Sequence, residues 1–152
     1  MNKNSTFPDL NFHTYFSGKV EAVGHMILYY PHKRTKNIKI IFTGKLNNNT
    51  FTLKEEYLED TIKTIRIWTF KKGEDNKYLG YEKNVLNPIK LDIKKNNLEM
   101  RYKFKTEYKS FSFYVDVKDS MYLMNKKHLI NKSTISKFSI TMAETILLYN
   151  KL

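Results

Sequence analysis

Leu98-Glu99-Met100-Arg101-Tyr102-Lys103-Phe104-Lys105 decides the fold. Apolar and charged residues alternate strictly, which is the period of a strand with one buried and one solvated face. A second run answers it a few residues on. Phe111, Phe113, Val115 and Val117 face away from Ser112, Tyr114, Asp116 and Lys118.

The same period recurs outward from this pair. Lys19 to Tyr30 sets Val20, Ala22, Gly24, Met26 and Leu28 on one side. Asn37 to Leu46 sets Ile38, Ile40 and Phe42 against Lys39 and Lys45. Phe51, Leu53 and Tyr57 oppose Lys54 and Glu56. Further runs span Thr61 to Lys71, Lys77 to Val85, Ile89 to Lys94 and Glu144 to Lys151. Between them lie Asn47-Asn48-Asn49, Glu59-Asp60, Gly73-Glu74-Asp75-Asn76, Asn87-Pro88 and Lys95-Asn96-Asn97. Asn, Asp and Gly tolerate positive φ and close tight hairpins. Turns spaced roughly every 10 to 14 residues describe an up-and-down meander. The reading predicts an all-β, antiparallel barrel of about eight to ten strands, closed to remove its free edges. No stretch reads as a convincing helix. Lys132 to Ala143 is the most ambiguous: Ile135, Phe138 and Met142 have helical spacing amid Ser and Thr, which form helices poorly.

The 152 residues make one domain, 1–152, with an extended leading segment at 1–12. An apolar fraction of 41% supplies a core and argues against disorder. The absence of Cys excludes disulfides and thiolate ligands. The first residues carry no apolar signal region, and the longest apolar stretch, Met26 to Tyr30, is too short to span a bilayer. As written, the chain is expected to be cytoplasmic. A trimmed precursor would point to the periplasm or cell envelope instead.

The formal net charge is +12, and only Arg34, Arg66 and Arg101 are arginines. Lysine-rich charge fits the coding bias of an AT-rich genome, or attraction to an anionic membrane surface or a fatty carboxylate. Nucleic acid fits less well, since its readers favour Arg. Phe111, Phe113, Tyr114 and Tyr122 could stack on bases, but the phenylalanines alternate as a core face does.

No motif spells out a reaction, a phosphate loop or a cofactor site. His13, His25, His32 and His128 have no paired spacing, so no metal is expected. His25 lies mid-strand, where a wall-facing imidazole is either a base or simply hydrogen-bonded. Glu55 shares parity with Phe51, Leu53 and Tyr57, so it points inward, as an acid or as the partner of an inward Arg. Arg66 shares parity with Ile62, Trp68 and Phe70. A guanidinium there is a carboxylate clamp, with Tyr57 and Tyr102 to assist. The alternative turns Arg66 outward to Glu56 or Glu59. Trp68 and Arg101 complete the candidate ligand set.

Several segments carry a family resemblance. They are Phe16-Ser17-Gly18-Lys19-Val20-Glu21-Ala22-Val23-Gly24, Phe42-Thr43-Gly44, Leu53-Lys54-Glu55, Arg66-Ile67-Trp68, Tyr78-Leu79-Gly80, Asn97-Leu98 and Arg101-Tyr102. Tyr122-Leu123, the run Leu129 to Phe138, and Glu144-Thr145 follow. From about Phe12 to Lys151 the chain resembles the bacterial family called domain of unknown function 3833, whose members are often described as lipoproteins. It departs from that pattern at Ser120, Ser139 and Ala143, and it lacks the lipid-anchoring Cys. The resemblance implies a lipocalin-type (calycin-like) barrel, an unassigned role and gene neighbourhoods concerned with fatty-acid modification and envelope stress.

Three functions follow as expectations. The first is a binding module that takes a fatty acid or other hydrophobic small molecule into the barrel. The second is an enzyme on an acyl substrate with Glu55 or His25 as acid and base. The third is a filled barrel that docks on a membrane or partner through its basic exterior.

Overall fold

The structure is a computed structural model that describes residues 7–59 and 61–152. One short helix, α1 (Phe12–Phe16), precedes twelve strands: β1 (Gly18–Leu28), β2 (Arg34–Asn47), β3 (Thr50–Glu59), β4 (Ile62–Lys72), β5 (Tyr78–Tyr81), β6 (Val85–Leu86), β7 (Ile89–Lys90), β8 (Asp92–Lys94), β9 (Asn97–Tyr108), β10 (Phe111–Leu123), β11 (His128–Lys137) and β12 (Ile140–Lys151). All pair antiparallel in one sheet, in the order β6-β9-β10-β11-β12-β1-β2-β3-β4-β5-β7, with β8 also on β9. β1 and β12, far apart in sequence, pair from Val20↔Lys151 to Leu28↔Ala143 and curl the sheet round.

Ladder closure differs from expectation. β5 covers only Thr69–Lys72 of β4, and β6 and β8 cover only short parts of β9. Among the described residues no ladder joins β4 or β7 to β9. The sheet is therefore an open barrel. Segment 85–94 fills the lower part of the seam, and the upper half of β4 is left as a free edge. The outward residues Ile65 and Ile67 on that edge are half exposed.

The expected period is borne out in the walls. Val20 and Ala22, then Ile38, Ile40 and Phe42, then Leu53, then Leu98 and Met100 are buried on one face. Burying each such side chain contributes roughly 1.5–3 kcal/mol. Two local expectations are corrected. Lys132 to Ala143 is strand, turn and strand, since Phe138 and Ser139 (φ 50° and 62°) join β11 to β12. The helix lies instead at Phe12–Phe16. There Asn11 Oδ1 accepts from the Thr14 amide at 3.2 Å, while Phe12, Tyr15 and Phe16 make a buried i, i+3, i+4 face. Of the leading segment, residues 1–6 lie outside the described residues, and Leu10 is pinned by its amide to Lys95 O at 2.8 Å. The turn expected at Glu59-Asp60 falls partly outside them too.

The two ends of the barrel differ. The lower end is shut by α1. Phe12 packs against Phe16, Phe51, Phe70 and Tyr78 with ring centroids 4.7–5.7 Å apart. Lys151 Nζ donates to the carbonyls of Thr14, Tyr15 and Ser17 at 2.7–2.9 Å, fixing the C-terminal end of α1. Gly44 permits the fit, because a Cβ there would lie 2.0 Å from Phe16 O. The upper end, where β1–β2, β3–β4, β9–β10 and β11–β12 turn, has no such plug. No helix among the described residues is long and apolar enough to cross a membrane.

Candidate functional site: an apolar cavity with a polar waist

A cavity of about 720 Å³ runs down from the upper end and is lined by residues of β1–β4 and β9–β12. That volume lies in the range of small-molecule sites. Its floor is the aromatic plug, with Phe12, Phe16, Phe42 and Tyr149 at the bottom. Apolar groups such as Met26, Ile38, Met100 and Val115 make most of its wall.

Polar groups gather at mid-depth on two facing walls. On one wall Glu55 (β3) and Arg66 (β4) stand opposite each other in register. Glu55 is buried, and its Oε2 accepts from Trp68 Nε1 at 3.0 Å. The Trp68 ring stacks on Phe70 and meets Tyr102 edge-on. Burial pushes the Glu55 carboxyl above its ordinary range, against the pull of Arg66 and the Trp68 hydrogen bond. On the other wall Asp119 (β10) accepts from Tyr102 Oη at 2.9 Å and from Ser133 Oγ, and Asn131 Nδ2 lies 3.4 Å away. Burial raises Asp119 as well, and those three donors oppose the rise. Tyr102 is pushed well above the ordinary phenol range by burial and by Asp119. Tyr57, half-buried above Glu55, is pushed up to about 12, chiefly by burial.

Arg66 is different. Its guanidinium carbon lies 4.6 Å from the Phe104 ring centroid, bridging the open seam between β4 and β9. Among the described residues it makes no hydrogen bond or ion pair. Glu55 is turned to Trp68, Glu59 is held by Lys36 at 2.6 Å, and Glu56 by Lys54 and Lys63. The two pairings considered for Arg66, with inward Glu55 or outward Glu56 or Glu59, are therefore not made. Its donors face the cavity.

Of the seven candidate residues, Glu55, Tyr57, Arg66, Trp68 and Tyr102 all line this cavity. Two are corrected. His25 is exposed on the outer face, its Nδ1 3.1 Å from Asn37 Oδ1, because inward parity in β1 belongs to Val20, Ala22 and Met26. Arg101 is exposed beside Lys103 and Lys105, since Met100 and Tyr102 take the inward positions of β9. Asp119, outside that candidate set, is buried. Carrying the parity of Val115 and Val117 one step further finds it. Asn131 and Ser133 gave no such signal, because they are polar residues on the inner face of β11 while Ile130 points out. Among the described residues no three His, Asp or Glu side chains gather as a metal site would require.

Comparisons with known proteins agree with this architecture. The phycobiliprotein lyase of S type, CPES, from Guillardia theta superposes with a TM-score of 0.56 at 7% identity, covering 93% of this chain and 90% of that one. Rv2717c from M. tuberculosis superposes with a TM-score of 0.54 at 7% identity, covering 91% and 94%. At such identity the likeness shows the fold alone. No curated protein matches. The family model described as "Protein of unknown function (DUF3833)" matches residues 1–151.

Proposed function

We propose that this chain, which belongs to the DUF3833 family by that match over residues 1–151, binds a hydrophobic small molecule bearing a carboxylate, of the fatty-acid class. The observation that carries the reading is Arg66: a guanidinium stacked on Phe104, with no hydrogen bond or ion pair among the described residues, lining an apolar cavity of about 720 Å³. An unpaired cation beside apolar surface is costly, and a ligand carboxylate bound by its planar fork removes that cost. Glu55 makes no ion pair with Arg66: Trp68 Nε1 holds one of its oxygens, and burial pushes its carboxyl above the ordinary range against the pull of Arg66. The alkyl chain then lies along the wall toward Met26 and Val115, and the polar waist reads any hydroxyl or amide it carries.

Native mass spectrometry of freshly purified protein tests this. The expected result is a bound acid of a few hundred daltons, or stoichiometric uptake of added oleate. A spectrum that stays empty after oleate is added rejects the reading.

An enzymatic reading on an acyl substrate rests on one observation: the cavity buries two carboxyls, Glu55 and Asp119, whose raised proton affinities suit general acid catalysis. His25 takes no part in it. Turnover of a bound acyl ligand, seen as a changed mass on incubation, would favour it over carriage.

A further inference from the structure

The upper rim of the barrel does not look like the end of a stable protein. Tyr30, Ile62, Tyr108, Phe111, Phe138 and Ile140 all stand exposed there, Phe111 at 75% and Phe138 at 84%. They come from all four upper hairpins, so the barrel's up-and-down order brings together residues far apart in sequence. Single exposed apolar residues are ordinary; six large ones converging on one rim are a patch.

Phe138 is costly twice over. It is in water, and it occupies the left-handed region at φ 50°, which a hairpin gives most cheaply to Asn or Gly. Neither packing nor turn chemistry accounts for it.

Cations accompany the rings. Lys109 Nζ lies 5.4 Å from the centroid of Tyr108, and Lys137 Nζ lies 4.9 Å from that of Phe138. Lys33 stands in the β1–β2 turn and Arg34 opens β2 beside it. None of these four has a carboxylate partner among the described residues, whereas the rim acid Glu59 is neutralised by Lys36. Glu107, a second described acid of the rim, lies 3.4 Å from Ser112 Oγ. Aromatic tips ringed by lysines match the boundary of an anionic bilayer, where rings lie at headgroup level and ammonium groups meet lipid phosphates.

We infer that the four upper hairpin tips dock the barrel, mouth down, on an anionic lipid surface, with Phe111 and Phe138 entering the acyl boundary. The lower end, plugged by α1, points away. The docking stands on the rim and not on the cavity's ligand, yet it brings the cavity mouth directly over the lipid.

A competing apolar surface provides the control. On the outer wall, Val23, Leu148, Ile130 and Tyr122 line up in register across β1, β12, β11 and β10, with Ile146 beside them. If the side wall rather than the rim meets lipid, that row is the surface. The full chain is therefore sedimented with vesicles of phosphatidylcholine and phosphatidylserine, roughly two to one, at low and high salt. Wild type is expected to co-sediment. The double variant Phe111→Ser/Phe138→Ser should lose on the order of tenfold or more in partitioning. Lys109→Gln/Lys137→Gln should lose on the order of tenfold at low salt and much less at high salt. Ile146→Ser/Leu148→Ser should partition like wild type. As an independent readout, Phe138→Trp should gain emission that brominated lipid quenches, while the enclosed Trp68 is unaffected.

Failure of wild type to co-sediment overturns the inference. So does unchanged binding by the Phe111/Phe138 variant, or loss confined to the Ile146/Leu148 variant. A concentration-dependent dimer that the Phe111/Phe138 variant dissolves, without vesicle binding, overturns it in favour of a second copy of the chain. Oleate uptake from solution, measured on the same variants, is expected to be unchanged, which separates failure at the rim from failure in the cavity.

Discussion

The lower and upper ends of this barrel are made of the same residue types used in opposite ways. Phe51 at the lower end is fully buried, and Phe138 at the upper end is 84% exposed. Below, positive-φ positions go to Asn48, Asp75 and Asn76, which adopt them cheaply, with Lys95 the exception; above, they go to Lys109, Ser110, Phe138 and Ser139. Below, aromatic rings interlock; above, they face water and an empty centre. The difference teaches that one end carries the stability and the other carries interactions the fold does not itself satisfy. If that is right, substitutions at the two ends should fall into separate classes.

The largest effect belongs to the plug. Phe12→Ala removes a ring packed against four others and should cost about 3–5 kcal/mol. Urea unfolding measures it. A loss under about 1 kcal/mol would mean that α1 lies on the barrel without closing it, and the contrast between the ends would fail.

Next comes the waist. Arg66→Met should weaken binding of a fatty acid by about 1.5–3 kcal/mol, the scale of a charged hydrogen bond. It should change unfolding stability by no more than about 0.5–1 kcal/mol, the scale of the Phe104 cation–π contact, because among the described residues Arg66 makes no hydrogen bond or ion pair. Displacement of a fluorescent fatty acid reads the first, and urea unfolding the second. Equal loss in both would return Arg66 to the structural class.

The walls were legible in the sequence where the inward positions are apolar and the turns use Asn, Asp or Gly; the plug α1 (Phe12–Phe16) was not, because five residues are too short to show a helical period. Leu98 to Lys105 shows its strand without context. The period failed where the inner face turned polar. β11 presents Asn131 and Ser133 inward and Ile130 outward, so its alternation reads backwards. The turns at Lys109-Ser110 and Phe138-Ser139 were invisible for a related reason: their residues are unsuited to the backbone they adopt. Among site residues, parity placed Glu55 and Arg66 inside. It also placed Arg101 outside with Lys103, and the attraction of pairing any Arg with a carboxylate ligand overrode it. Closure along the seam was out of reach of any single-strand reading, because it depends on how segment 85–94 divides between β5 and β9.

A smaller effect separates Glu55 from an ion pair. Its carboxyl is raised above the ordinary 4.5, so the unfolded chain releases that proton first as pH rises. Folding stability from this group is therefore fully present below about pH 4.5 and declines as pH rises through the folded value. Glu55→Gln cannot ionise and can still accept from Trp68 Nε1. The variant should gain on wild type as pH rises through the folded value of Glu55 and hold a constant advantage above it. Asp119 is present in both proteins and cancels in the difference. A variant that instead loses ground toward neutral pH would show Glu55 ionised on Arg66, with the clamp already filled.

The smallest effect, opposite in sign to the first, comes from the rim. Phe138→Asn replaces a bulky residue at φ 50° with one that tolerates the left-handed region, and it removes a ring that packs on little but the Lys137 ammonium. The lost cation–π contact at an exposed site is worth about 0.5 kcal/mol, and relief of the turn should exceed it. The variant should be more stable than wild type by a few tenths to about 1 kcal/mol, seen as a melting temperature higher by about 1–4 °C. A stabilising substitution at an exposed aromatic means the native residue is held there by something other than folding. Should Phe138→Asn destabilise the barrel, Phe138 packs in solution, and the upper end joins the lower one as structure.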